Sequence, residues 1–515
     1  MSSIADSALH EDETLCTQIL ETITAASPLQ ILPSKISGAG IGLFVTKDVD
    51  DGEEIFGSKP LVNCVDNELQ RSVCDNCCAY QLSTVHPSGR FRTAEDAELE
   101  MKACSRCKVC YYCSRACQRK AWKTHHKHEC ELLSETPTMH PLTRALYRIL
   151  LSIKHNILSG DQRAAMQRLT SNMPELLSSD NAKLIVGASE AARSRTKTDL
   201  SFAEVVRLYC IVLTNSVSIF QPEGRMLGSS LDVVASLMNH SCDPNAFVVF
   251  EGNSLRVRSL RKLRGGEEIT QCYADVNMDV LIRGRKLKDS YNFDCHCERC
   301  EKELKAHEER TPGMIPQMEQ TQHDLIDRSN EAIRLINIDT LSTDAHNLAS
   351  RIFPNGKWPE DLQPWPTLHI SQSRVSKAQG SLVPALKYGV KGYLFQERRI
   401  GPSWIHDLLE FLQVISRMLV APKGDIPFGK DGFPSEVQLW TILHGHLREL
   451  ALGATRTFGE RTAYSQAIGA WYSGSIAEEE GPKPGTTAFA NRFKRAQGVL
   501  LAWAGVDESR GIVLT

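Results

Sequence analysis

The sequence predicts an α+β protein, with short strands and cysteine-rich segments up to about residue 303 and amphipathic helices from there to residue 515. Residues 41–45 and 54–56 are short apolar runs on either side of Asp50-Asp51-Gly52, which reads as a turn between two strands. Residues 247–250 and 255–260 flank Gly252-Asn253 and read as a hairpin. Helical spacing of apolar residues appears at 142–157, 162–173 and 202–220. It returns at about 319–337, 373–397, 402–420, 434–453 and 486–505, with Pro354, Pro359, Pro364 and Pro366 punctuating a loop.

Composition narrows the setting. The length allows two or more domains, and the net charge of -3 selects no partner. No apolar run reaches the length of a membrane span, and the first residues are acidic and polar rather than basic and then apolar. An intracellular protein of nucleus or cytoplasm, with no membrane partner, is expected. Of 17 cysteines, 11 fall into metal-ligand patterns, as in a reducing compartment; Cys16, Cys64, Cys78, Cys110, Cys210 and Cys272 read as small packing residues. Between Lys102 and His128 there are eight lysines or arginines and no acid. Such a face could make weak nucleic-acid contacts or simply solvate a small zinc module.

That module runs through Cys74-x2-Cys77, Cys104-x2-Cys107, Cys113-x3-Cys117 and His126-x3-Cys130, eight ligands for two tetrahedral ions. Ligands four apart share one helix face, which selects His126 over the adjacent His125. Downstream, Cys295, Cys297 and Cys300 offer three thiolates, and Cys242 is suited to be the fourth ligand of a third zinc. Each site would be closed by four protein ligands, so the expected role of zinc is structural.

Asn239-His240-Ser241-Cys242, then Gly265-Gly266-Glu267-Glu268-Ile269-Thr270-Gln271-Cys272-Tyr273, then the segment from Cys295 to Cys300 together resemble a SET-domain protein methyltransferase. Tyr112-Cys113-Ser114, Cys117-Gln118 and Ala121-Trp122 resemble a MYND finger. A MYND finger inserted in a split SET domain is similar to the SMYD group of lysine methyltransferases. The resemblance covers roughly residues 30 to 303.

It implies a SET β core split into residues 29–73 and 229–275, a finger at 74–130, a helical insert at 131–228 and a post-SET zinc knot at 276–303. Residues 1–28 remain as a tail, and 304–515 as a helical domain compatible with a tetratricopeptide-like array. The two finger sites would interleave: Cys74, Cys77, Cys113 and Cys117 around one ion; Cys104, Cys107, His126 and Cys130 around the other. Family spacing after Trp122 favours His125 instead.

The resemblance further implies S-adenosylmethionine as methyl donor and a lysine of a histone or non-histone protein as acceptor. Ala39, Gly40, Ile41, Gly42, Asn215, Asn239, His240, Tyr273 and Phe293 would bind the cofactor. Tyr273 would be catalytic, and Tyr291 would wall the lysine channel. Without that context, Ser37-Gly38-Ala39-Gly40-Ile41-Gly42 is a turn, Asn215 a helix-terminal hydrogen-bonding residue, Asn239-His240 a turn cap ahead of Asp243-Pro244-Asn245, and the aromatics packing residues. The competing function is a catalytically silent adaptor whose finger docks proline-containing peptides or nucleic acid.

Overall fold

The computed structural model describes residues 28–80, 100–222, 224–335, 347–353, 356–394, 401–422, 424–477, 481–507, 509 and 511. The expected tail before residue 28, most of the spacer between Cys77 and Cys104, and Pro354 lie outside the described residues. Two compact units are present among the described residues: 28–80, 100–272 and 288–293 form one, and 273–287 with 294 onward the other.

In the first unit, β1 (Leu29–Pro33) and β2 (Ile41–Val45) pair antiparallel, with Leu32 opposite Gly42. Strand β3 (Glu54–Ser58) does not pair with β2 across the Asp50-Asp51-Gly52 turn. Together with the later hairpin it forms a three-stranded sheet. β4 (Val62–Val65) likewise waits for partners far along the chain, and β5 (Lys102–Ala103) and β6 (Tyr111–Tyr112) are a short ladder in the finger. β7 (Val217–Phe220) and β8 (Met226–Leu231) complete the sheet β4-β8-β7. β9 (Asn239–His240) runs parallel to β12 (Thr270–Gln271), while β10 (Ala246–Glu251) and β11 (Ser254–Ser259) form the expected hairpin, in the order β10-β11-β3.

Helices α1 (Arg115–Ala121) and α2 (Lys127–Glu135) belong to the finger. α3 (Pro141–Lys154), α4 (Gly160–Arg168), α5 (Met173–Ser178), α6 (Ala182–Thr196) and α7 (Phe202–Asn215) form the insert. Leu43, Val45 and Ile55 from the strands, Leu146 and Leu150 from α3, and Val205 and Ile211 from α7 share one core. Ser201 caps α7 reciprocally with Glu204, satisfying two otherwise orphaned backbone donors.

Two expected helices differ, and one further helix was not expected. The 202–220 pattern ends as a helix at Asn215 and continues as β7, where only Ile219 is buried, because pairing with β8 favours the extended form. The 162–173 pattern breaks into α4 and the start of α5. α6 was not apparent in the pattern because its buried positions are Ile185, Ser189, Ala192 and Thr196, spaced for a helix but mostly small or polar.

In the second unit, α8 (Val280–Tyr291), whose last turn belongs to the first unit, precedes α9 (Glu298–Arg310) and α10 (Ile315–Leu335). The 373–397 pattern is two helices, α11 (Trp365–Ala378) and α12 (Leu382–Leu394), separated at Gly380, whose φ of 76° takes the left-handed conformation that stops a helix. α13 (Gly401–Leu419), α14 (Glu436–Phe458), α15 (Ala463–Ala477) and α16 (Thr487–Ala504) follow, with consecutive helices from α11 to α15 packed on each other.

Between α11 and α13, Arg374 pairs with Asp407 at 2.7 Å, and Lys377 bonds Glu410 and, at 3.0 Å, Gln413. His406 is held among these groups without a partner for Nδ1 among the described residues. Burial, reinforced by the charge of Arg374, pushes its imidazole from 6.5 down to about 4. The unfolded chain therefore binds this proton first as pH falls, so stability should be lost progressively between about 6.5 and 4. Urea midpoints compared at pH 7.5 and 5 should fall less in His406→Gln than in the parent; equal losses would remove His406 as the sensor.

Candidate cofactor and zinc sites

The finger brings its ligands together as two interleaved groups. The sulfurs of Cys74, Cys77, Cys113 and Cys117 lie within 4.8 Å of one another, as do those of Cys104, Cys107 and Cys130 with a ring nitrogen of His126. Sulfur separations are 3.6 Å for Cys77–Cys113, 3.5 Å for Cys113–Cys117 and 3.9 Å for Cys104–Cys130. Tetrahedral zinc with bonds of about 2.3 Å needs sulfurs about 3.8 Å apart, so both donor sets fit that ion.

The two adjacent histidines face different ways. His126 Nε2 lies 3.6 Å from Cys107 Sγ, its Nδ1 lies 3.6 Å from Glu129, and the edges of Tyr112 and Trp122 fix the ring. His125 has Nδ1 on the Thr124 hydroxyl at 2.9 Å and Nε2 3.7 Å from Asp75.

Behind the finger lies a buried charge network that sequence reasoning missed. Arg144 on α3, 1% exposed, donates to Asp75 at 2.7 and 3.0 Å and to Glu129 at 2.8 Å. Arg148, one turn on, donates to Glu129 at 3.0 Å and Asp75 at 3.3 Å. Burial alone would raise the Asp75 and Glu129 carboxyls, but the two guanidiniums outweigh it and hold both below the usual carboxylate range. The only sequence signal was the (i, i+4) spacing of Arg144 and Arg148 within an otherwise apolar helix.

The candidate cofactor site is built in the first unit. The turn between β1 and β2 places Gly38 and Gly40 at φ of 79° and 72°. A Cβ at Gly42 would lie 2.3 Å from Glu268 Oε1, so a side chain there would displace that carboxylate. Asn239 donates from Nδ2 to the Ile41 carbonyl at 2.9 Å and to Glu268 Oε1 at 2.8 Å, joining β9 to the glycine turn. His240 is buried, with Nε2 3.2 Å from Cys242 Sγ and its ring centroid 5.5 Å from that of Phe293.

Asn245, also missed as a site residue, is buried beneath. Its side chain donates to the Glu268 carbonyl and accepts from the Thr270 N–H, each at 2.8 Å, which fixes β12 alongside β9. Of the two adjacent acids, Glu267 faces Arg261, while Glu268 turns inward.

Asn215 is placed differently from these residues, its amide donating to the carbonyls of Thr170 and Ile211. The Tyr291 carbonyl accepts from Asn172 at 3.2 Å, and burial pushes the Tyr291 phenol up, keeping it neutral. Tyr273 begins the second unit, two residues beyond β12.

Residues 40–274 match the family model for the SET domain, slightly less than half of the chain. The human protein named histone-lysine N-methyltransferase SMYD3 is 29% identical over 53% of this chain and 62% of its own. Histone-lysine N-methyltransferase ASHR1 of Arabidopsis thaliana is 30% identical over 53% of this chain and 56% of its own. N-lysine methyltransferase SMYD2-A of Danio rerio is 31% identical over 43% of this chain and 52% of its own. The chain thus spans little more than half the length of these curated relatives. Among the described residues, no helix is long and apolar enough to cross a membrane.

Proposed function

We propose that this chain, which carries a SET domain at residues 40–274, is an S-adenosylmethionine-dependent protein-lysine N-methyltransferase of SET-MYND type, acting on a histone or non-histone lysine. The observation that carries this reading is the meeting of the glycine turn, Asn239, His240 and Phe293 in one unit. S-adenosylmethionine would supply a methyl group on a sulfonium; transfer makes the lysine N–C bond, breaks the C–S bond and leaves S-adenosylhomocysteine.

Ala39, Gly40, Ile41 and Gly42 would present backbone groups to the cofactor, with Asn239, His240 and Asn215 Oδ1 as further polar contacts and Phe293 as a stacking surface. Tyr273 would orient the lysine amine and the methyl group, and also contact the cofactor, while Tyr291 walls the channel. The amine must be neutral to attack, and removal from water favours that form of a group whose ordinary pKa is about 10.4. Orientation in a water-poor channel can then supply much of the acceleration.

Three zinc ions would be structural: one with Cys74, Cys77, Cys113 and Cys117, one with Cys104, Cys107, His126 and Cys130, and, on the sequence pattern, one with Cys242, Cys295, Cys297 and Cys300. Cys297→Ser should lower zinc content from three ions per chain to two; an unchanged content would defeat the third assignment. The basic face of the finger keeps a second reading open, a silent adaptor for proline-containing peptides or nucleic acid in nucleus or cytoplasm.

The deciding experiment is transfer of labelled methyl from S-adenosylmethionine into protein lysine. Label in lysine supports the enzyme. No label from a protein that also fails to bind the cofactor would favour the adaptor.

A further inference from the structure

We propose that Glu268 is the positioning residue of the cofactor turn, a buried carboxylate that holds the backbone of residues 34–42 in its binding shape. The inference rests on the methyltransferase reading and says how this chain would achieve cofactor affinity. Residues 37–42 contain no charged side chain, so whatever that turn offers a ligand is backbone. Backbone donors and acceptors bind well only when already ordered, because ordering them on binding subtracts from affinity.

Glu268 supplies the order. Its Oε1 accepts from the Ser34 hydroxyl at 2.7 Å and from Asn239 Nδ2 at 2.8 Å, and its Oε2 accepts from the Lys35 N–H at 2.9 Å. The Ser34 hydroxyl in turn accepts from the Ile36 N–H at 3.0 Å. Both ends of the turn are also held: Ser34 N–H donates to the Gly40 carbonyl at 2.8 Å, and Asn239 donates to the Ile41 carbonyl. The carboxylate is buried, and all three of these partners are neutral donors. A charged acceptor among neutral donors forms strong, directional bonds, and the absence of a Cβ at Gly42 leaves room for it.

The test uses the full chain and Glu268→Gln, which keeps the size but turns one acceptor into an amide donor facing a donor. Cofactor affinity, measured by calorimetry with S-adenosylmethionine, should weaken about tenfold, and the KM for the cofactor should rise similarly while kcat at saturating cofactor moves much less. Amide hydrogen exchange at Lys35 and Ile36 should accelerate. Gly42→Ala, which drives a methyl group into the carboxylate, should produce the same pattern. Should Glu268→Gln fail to fold, Ser34→Ala removes a single leg of the clamp and is expected to raise KM in the same way.

A parent that binds cofactor normally, with Glu268→Gln binding equally well, overturns this inference and leaves the methyltransferase reading intact. A fall in kcat with KM unmoved also overturns it. A parent that binds no cofactor fails both, and unchanged exchange at Lys35 would show separately that the clamp does not order the turn.

Discussion

Tyr273→Phe is expected to lower methyl transfer by about a hundredfold or more while leaving cofactor affinity within about threefold of the parent. The substitution removes one hydroxyl and retains the ring, so packing around the residue changes little. In the proposed reaction the phenolic oxygen guides the amine and meets charge that changes as the methyl group moves, a contribution made in the transition state more than in the ground state. The loss should therefore fall on kcat. Single-turnover transfer with saturating cofactor measures it directly, and calorimetry with S-adenosylmethionine gives the affinity. Transfer at the parent rate would remove Tyr273 from the mechanism. Loss of transfer together with loss of binding would make it a cofactor residue only.

Arg144→Met should destabilise the first unit by about 3–5 kcal/mol. Arg144 bridges Asp75, next to Cys74, and Glu129, next to Cys130, to the helix α3. Methionine has a comparable length and fills the space, but it leaves two buried carboxylates with Arg148 as the one remaining guanidinium of the pair. A carboxylate cannot stay charged in a dry interior without partners, so the variant must admit water or take up protons. Denaturation at constant zinc should show the loss. Partial recovery in Arg144→Met combined with Asp75→Asn would show that the uncompensated charge is the cause. A change below about 1 kcal/mol would mean that water already shares the network.

The two predictions differ in how far the sequence foreshadowed them. Tyr273 follows a Gly-Glu-Glu turn in linear order, and the resemblance to a SET domain nominates it from that order. Arg144 is one arginine in a helix of the insert, and its four-residue spacing from Arg148 is the one local sign of its burial. The same contrast separates α7 from α6. The apolar face of α7 is visible as Val205, Leu208, Tyr209 and Val212, whereas α6 packs through Ser189, Ala192 and Thr196, which leave no apolar stripe. The end of α7 was misjudged because apolar spacing continues into β7 after the conformation has changed, and only pairing with β8 shows it.

By itself the sequence determined the features set by neighbours along the chain. These are the cysteine pairs with two residues between them, the four-residue step from His126 to Cys130, the β10–β11 hairpin and the glycine turn, because local backbone geometry dictates where such residues point. The tertiary structure alone decided that Glu268 reaches Ser34 and Lys35 across more than 230 residues, that β9 lies beside β12, and that Asp75 and Glu129 share two arginines. A buried polar group takes whichever partners the packed chain delivers, and its burial, the reason it needs them, does not exist until the core has closed.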